Sequence, residues 1–150
     1  MTMTTNNKSP GEAALQDLIE IVVVGAHLSG MPLNGELTSR GATFRRVVQT
    51  LPDYRLYALA GGPPKRPGLI RVAPGTGAAI ACEVWALPPA GFGTFVDGIP
   101  SPLGIGTLKL ADGTTPKGFL VEPEGLAGAE DITAHGGWRA YIAALSGQAA

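Results

Sequence analysis

The residues best suited to chemistry stand in one short segment bounded by glycines, Gly25-Ala26-His27-Leu28-Ser29-Gly30. An imidazole has an ordinary pKa of about 6.5 and can donate a proton near neutral pH, so His27 is the candidate catalytic residue. The backbone amides of Leu28 to Gly30, with a helix start beyond Pro32, offer N–H groups to a substrate carboxylate. The segment therefore predicts a site for a small molecule that carries a carboxylate.

Each residue of this segment also has a plainer interpretation. A histidine in a turn can simply donate a hydrogen bond to a backbone carbonyl and shape the turn. Ser29 is either a further hydroxyl donor in the site or an ordinary turn serine. Gly25 and Gly30 serve turn geometry, and they affect a ligand only by letting it approach the backbone.

Four residues further along the chain are candidate substrate-binding groups. Arg55 and Tyr57 share one face of a predicted strand, because strand side chains alternate, and they could balance charge and donate a hydrogen bond, or face solvent as a pair. Glu83 points to the same face of its strand as Trp85, so a buried Glu83 needs a partner or a role in the site. His135 precedes the last helix and either lines the site or acts as a cap or packing group.

Short strands with a few covering helices are predicted to position these residues. The β-branched run IEIVVV, bounded by glycine, predicts a buried first strand directly before the His27 segment. Residues 1–18 are predicted to be a flexible tail or short helix (11–18), and residues 19–150 a single domain. Strands are predicted at 19–24, 42–50, 53–59, 69–72, 79–87, 105–110 and 118–121. Helices are predicted at 33–40 and 137–145. A third helix is predicted to begin at Pro88-Pro89 and to present an apolar stripe of Phe92, Phe95, Val96 and Ile99. Trp85, Trp138 and Tyr141 are predicted to lie in the core.

Composition narrows the classes of function. The formal net charge is -1 and the densest basic clusters, Arg45-Arg46 and Lys65-Arg66, are only pairs, interpreted as ordinary solvated charge. Nucleic acid and membrane surfaces are therefore not expected partners. The single cysteine, Cys82, excludes an internal disulfide and fits a reducing cytoplasm. No cluster with metal-ligand spacing and no nucleotide-binding motif occurs, so neither a metal nor a cofactor is expected.

Several strings together resemble one family. They are VVGAHLSGMPLNGELTSRGA, YRLYAL, EVWALP, IPSPLGIGTLKLADG, KGFL and AEDITAHGGWRAYI. From about Ile21 to Leu145 the chain resembles the carboxy-terminal domain of allophanate hydrolase. The serine-rich signature of that enzyme's amidase domain is absent from the sequence, so the resemblance is to the carboxy-terminal domain as a stand-alone protein. The resemblance implies an α+β fold, a small mixed β-barrel with flanking helices, similar to the γ-glutamylcyclotransferases.

The resemblance also implies a reaction. The family's carboxy-terminal domain is associated with decarboxylation of N-carboxycarbamate, the amidase product, and His27 would donate the proton to nitrogen. Cyclotransferases use a glutamate where this chain has Ile99-Pro100, and Asp97 is the nearest carboxylate in the sequence. Two alternatives stay open: a non-catalytic assembly module that dimerises or docks a separate amidase, and a γ-glutamylcyclotransferase-like enzyme.

Overall fold

The structure is a computed structural model that describes residues 17–149. Most of the predicted tail therefore lies outside the described residues, and Asp17 and Leu18 are outside regular structure. The described chain contains eight strands and three α-helices, with two short 3-10 turns. The strands are β1 (Ile19–Val23), β2 (Thr43–Gln49), β3 (Tyr54–Ala58), β4 (Pro67–Arg71), β5 (Ala81–Leu87), β6 (Leu103–Thr107), β7 (Lys117–Val121) and β8 (Glu130–Asp131). The helices are α1 (Asn34–Thr38), α2 (Pro89–Asp97) and α3 (Trp138–Ala149).

The first strand lies in the middle of a five-stranded sheet with the order β2-β5-β1-β7-β6. It pairs antiparallel with β5 and parallel with β7. Ile21, Val22 and Val23 are fully buried, as expected for a β-branched run with neighbours on both sides. The chain leaves this central strand directly into the His27 segment, so the segment is anchored at the most buried part of the sheet.

A second sheet has three strands in the order β4-β3-β8. Pairing is antiparallel on both sides of β3. The predicted α+β class is confirmed, but the described strands form two separate sheets, and no ladder closes them into one barrel. The closed barrel is thus not confirmed.

Most predicted elements are present with shifted ends. Helix α2 begins at Pro89, where the fixed φ of proline suits a first helical position, but it ends at Asp97, so Ile99 lies beyond it. Strand β6 begins two residues earlier than predicted and forms the expected hairpin with β7. The two-residue strand β8 was not predicted, because its pairing with β3 depends on a distant segment rather than on local periodicity.

One core joins the two sheets and the helices. Trp85, Trp138 and Tyr141 are buried as predicted. Tyr54 is fully buried, and its hydroxyl accepts a hydrogen bond from the Lys109 amide at 2.9 Å. No helix among residues 17–149 has the length and apolar character to span a bilayer.

Candidate functional site

The segment after β1 is a compact turn that bonds to itself. The Leu28 amide donates to the Gly25 carbonyl at 2.9 Å, and the Leu33 amide donates to the Ala26 carbonyl at 2.8 Å. The Asn34 side chain, at the start of α1, donates to the His27 carbonyl at 2.9 Å. These bonds fix the backbone on both sides of His27 without using its imidazole.

Gly25 is required by a close approach of two chain segments. A Cβ atom at this position would lie 2.1 Å from the Cγ atom of Pro67, the first residue of β4. That separation is far inside van der Waals contact, so only glycine lets the turn pack on Pro67. Gly30 differs, because it has open space but a φ of 80°, a left-handed value that favours glycine. The packing at Gly25 brings Arg66, next to Pro67, toward His27.

The His27 side chain is buried between two aromatic rings. It is 6% exposed, stacks on Phe119 with a centroid distance of 5.2 Å, and meets Phe95 edge-on at 5.0 Å. Its Nε2 lies 2.7 Å from Oε1 of Glu36 in α1. Burial lowers the pKa of His27 below 6.5, although the hydrogen bond and charge of Glu36 act to raise it. His27 is therefore predominantly neutral at neutral pH.

Two small cavities adjoin the imidazole. One, of about 70 Å³, is lined by His27, Glu36, Arg40 and Arg66 together with Phe95 and the segment 98–100. The other, of about 20 Å³, includes Gly25, Ala26, His27 and Arg66 in its wall. Both arginines act to lower the pKa of His27 through their charge. With two cations, one carboxylate and a neutral imidazole, the larger cavity has a positive balance that suits a small anion.

Neither Glu36 nor Arg66 was predicted from the sequence to be a site residue. Arg66 was interpreted as solvated charge in a basic pair, yet it lines both cavities beside His27 and takes part in none of the ion pairs between described residues. The carboxylate near His27 is Glu36, not Asp97, which is exposed at the end of α2. A glutamate in the first turn of the helix that follows the His27 segment was the available signal.

Of the loop amides predicted to receive a substrate carboxylate, those of Leu28 and Ser29 are already engaged by the protein. Glu83 of β5 accepts the Ser29 amide through Oε1 and the Ser29 hydroxyl through Oε2, both at 2.9 Å. Trp85 Nε1 also donates to Glu83 at 3.0 Å. Arg139 of α3 donates from Nη2 to Glu83 Oε2 at 2.9 Å and to the Ser29 carbonyl at 2.7 Å. The carboxylate held by this part of the turn is thus the protein's own.

We call Ser29, Glu83 and Arg139 the loop clamp. Burial of the Glu83 carboxyl acts to raise its pKa, but the bonds from Ser29, Arg139 and Trp85 outweigh this, so the pKa is lowered and the carboxylate stays charged. Arg139 was not among the predicted residues, although it stands in the string GGWRAYI. The clamp ties β5 and α3 to the turn, and none of its three residues lines the His27 cavities.

The other predicted residues are divided between two places. Leu28, Glu83 and His135 line a groove of about 370 Å³ beside α3 and not the His27 cavities. Arg55 lies on β3, where its guanidinium donates to Asp131 of β8 at 2.7 Å. Tyr57 shares the Arg55 face and is half-buried. The structure therefore brings Gly25 and Ala26 to His27, and places Arg55 and Tyr57 outside both the cavities and the groove.

Fold and site together define an α+β domain with a buried histidine in the turn after its central strand, paired with a half-exposed glutamate and next to a cavity lined by two arginines. The sequence profile of the allophanate hydrolase C-terminal domain family matches residues 19–143. The chain belongs to this family.

Individual relatives agree with this membership. The chain is 42% identical over 130 residues to a urea amidolyase of Lachancea kluyveri. It is similar to an allophanate hydrolase of Kluyveromyces lactis, with 41% identity, a TM-score of 0.83 and 85% of this chain covered. It is also similar to a uropathogenic E. coli-specific protein, with 35% identity, a TM-score of 0.77, and coverage of 84% of this chain and 96% of that one.

The chain corresponds to a small part of its larger relatives. It spans 7% of the urea amidolyase and 21% of the allophanate hydrolase chain. The activities of those whole proteins are therefore only proposals for this chain.

Proposed function

We propose that this domain decarboxylates N-carboxycarbamate, with His27 as the proton donor and Arg66 as a carboxylate-binding group. The observation that carries the proposal is the contact at 2.7 Å between the buried His27 and the half-exposed Glu36, beside a cavity lined by Arg66 and Arg40. Family membership supports the substrate class. A cavity of about 70 Å³ suits a compact ligand, since one water takes up about 30 Å³ of the liquid.

A neutral resting histidine becomes an acid when the substrate binds. N-carboxycarbamate is a dianion, and a nearby negative charge favours the imidazolium form, which raises the pKa that burial had lowered. Glu36 acts in the same direction, because its carboxylate accepts a hydrogen bond from Nε2 and stabilises the cation. The substrate therefore brings His27 into its proton-donating form.

The proposed step balances in atoms and charge. The N–C bond to one carboxylate breaks, and its electron pair stays on nitrogen, which takes a proton from the His27 imidazolium. The products are carbon dioxide, carbamate and neutral His27. Arg66 would neutralise the retained carboxylate and hold it while the other leaves as an uncharged molecule.

The experiment supplies N-carboxycarbamate from a separate amidase acting on allophanate and follows carbon dioxide release. Wild-type protein is expected to accelerate release beyond the amidase alone, and His27→Ala to lose most of that acceleration, by a factor of about 10² or more. The matched control is His135→Ala, which removes the other histidine, outside the His27 cavities, and should keep the wild-type rate.

Two outcomes would contradict the proposal. Equal rates for wild type and His27→Ala would remove the catalytic role of the imidazole. Wild-type protein that co-purifies with the amidase but leaves its carbon dioxide release unchanged would instead select the assembly module.

A γ-glutamylcyclotransferase-like activity is the second candidate, and Glu36 is the observation that favours it. That reaction requires a carboxylate in the pocket, and Glu36 supplies one in direct contact with His27. Release of 5-oxoproline from γ-glutamyl compounds, abolished by Glu36→Gln, would support this candidate. No release by the wild type would exclude it.

A further inference from the structure

A third cavity opens beside the two that adjoin His27, with a volume of about 550 Å³. Its walls come from the segments 59–64, 100–103 and 124–127. Arg66 and Leu103 line both this cavity and the smaller one at His27, and Pro100 is shared with the other. We call this cavity the outer groove. Its size lies in the range of about 300–1,000 Å³ that is usual for sites of larger organic ligands, whereas N-carboxycarbamate needs only the inner space.

The walls of the outer groove are preformed. Four prolines contribute to them: Pro63, Pro64, Pro100 and Pro102. A proline ring fixes φ, so these segments lose little conformational freedom when a ligand binds. Gly61 and Gly62, with φ values of 100° and 115°, occupy backbone conformations that favour glycine and shape the same wall.

The charged side chains of the outer groove are one cation and one anion. Arg66 is at the inner end, because it also lines both His27 cavities. Glu124, in the 3-10 turn Pro123–Leu126, lines the outer groove but neither His27 cavity. Neither side chain is in an ion pair with another described residue. Two opposite charges thus line one groove, and only the positive one also lines the His27 cavities.

We propose that the outer groove binds an elongated zwitterion, with a carboxylate or N-carboxylate at Arg66 and an ammonium group at Glu124. The apolar spacer between the two charges would lie along the proline walls. The proposal rests on the proposed function at its inner end, where the N-carboxyl group would meet His27. It extends the substrate class from N-carboxycarbamate to N-carboxylated amines with a cationic tail.

The test measures binding of ω-amino acids by calorimetry with the full chain. The probes are 4-aminobutanoate, 6-aminohexanoate and 8-aminooctanoate, each compared with the alkanoate of the same length. At one length the amino acid should bind about two- to five-fold more tightly than its alkanoate, the effect of one solvent-accessible ion pair. Glu124→Gln should abolish that difference. Glu122→Gln, which changes an exposed glutamate outside the groove, should retain it.

The outcomes separate this proposal from the proposed function. Equal binding of amino acids and alkanoates at every length, with carbon dioxide release intact, overturns the zwitterion site alone. A preference that survives Glu124→Gln also overturns it. A preference that Glu124→Gln removes supports the site even where carbon dioxide release fails, and the groove then serves another reaction of carboxylated amines.

Discussion

At the scale of single residues, His27 is subject to two opposing effects on its pKa. Burial between Phe95 and Phe119 removes water from the imidazolium and lowers the pKa, while Glu36 acts to raise it. Burial is the larger effect. The balance keeps the imidazole neutral until a further negative charge enters, which is the behaviour that an anion-activated proton donor needs.

We therefore predict that Glu36→Gln lowers the pKa of His27 further below 6.5. The glutamine can still bond Nε2, but it no longer supplies the negative charge that stabilises the imidazolium. NMR titration of the imidazole C–H signals measures the change, and the chain has two histidines, so His135 provides an internal reference.

The matched control for this variant is Glu122→Gln, because Glu122 is exposed and outside the His27 cavities. A His27 midpoint that is the same in Glu36→Gln and in the wild type would contradict the prediction. Where the domain is active, the alkaline limb of the rate profile, on which His27 loses the proton that it must donate, should move to lower pH along with the midpoint.

At the scale of elements, the turn after β1 is held from two sides. Pro67 of β4 packs on Gly25, and the loop clamp ties Ser29 to β5 and α3. Glu83 is nearly fully buried, while the Arg139 side chain is 50% exposed. Loss of the Glu83 charge should therefore lower the free energy of unfolding more than loss of the Arg139 charge.

We predict that Glu83→Leu destabilises the protein far more than Arg139→Met does. Loss of the carboxylate leaves the Ser29 amide and Trp85 Nε1 without their acceptor and should lower the free energy of unfolding by about 3–5 kcal/mol. Loss of Arg139 leaves Glu83 with three of its donors, so about 1 kcal/mol is expected. Urea denaturation measures both.

Glu83→Gln is the informative third variant. It keeps an acceptor for Ser29 but removes the charge, so its stability should fall between those of Glu83→Leu and Arg139→Met. Equal losses for Glu83→Leu and Arg139→Met would show that the ion pair, and not the buried bonds to the turn, sets the stability of the clamp.

At the scale of the whole molecule, one hydrophobic core contains residues of both sheets. Cys82 is part of this core, so the reactivity of its thiol measures how often the core opens. Cys82 is the second residue of β5 and is 2% exposed. Burial raises its pKa to about 12, so almost no thiolate exists at neutral pH.

We predict that thiol reagents modify Cys82 only when the domain unfolds. For an unfolding free energy of about 5 kcal/mol, reaction at neutral pH should be slower than that of an ordinary thiol by a factor of about 10³ or more. The rate of iodoacetamide labelling measures it, with the same chain in concentrated urea as the control. Rapid modification in buffer would show that β5 opens locally without global unfolding.

Local sequence determined the elements of this protein. The β-branched run of β1, the glycines around His27 and the proline at the start of α2 each act on their own neighbours, so their structures could be predicted from the sequence. The same local rules placed Glu83 and Trp85 on one strand face, and their hydrogen bond at 3.0 Å agrees with that placement.

Only the tertiary structure decided which charged groups meet. Arg66, predicted to be a solvated member of a basic pair, lines the His27 cavities in the structure. Arg139 donates a hydrogen bond to Ser29, which is 110 residues away in sequence. A hydrogen bond or ion pair depends on distances of a few ångströms, and sheet order and helix packing set those distances. Local periodicity carries no information about them, so the candidate histidine could be found from the sequence while its charged partners could not.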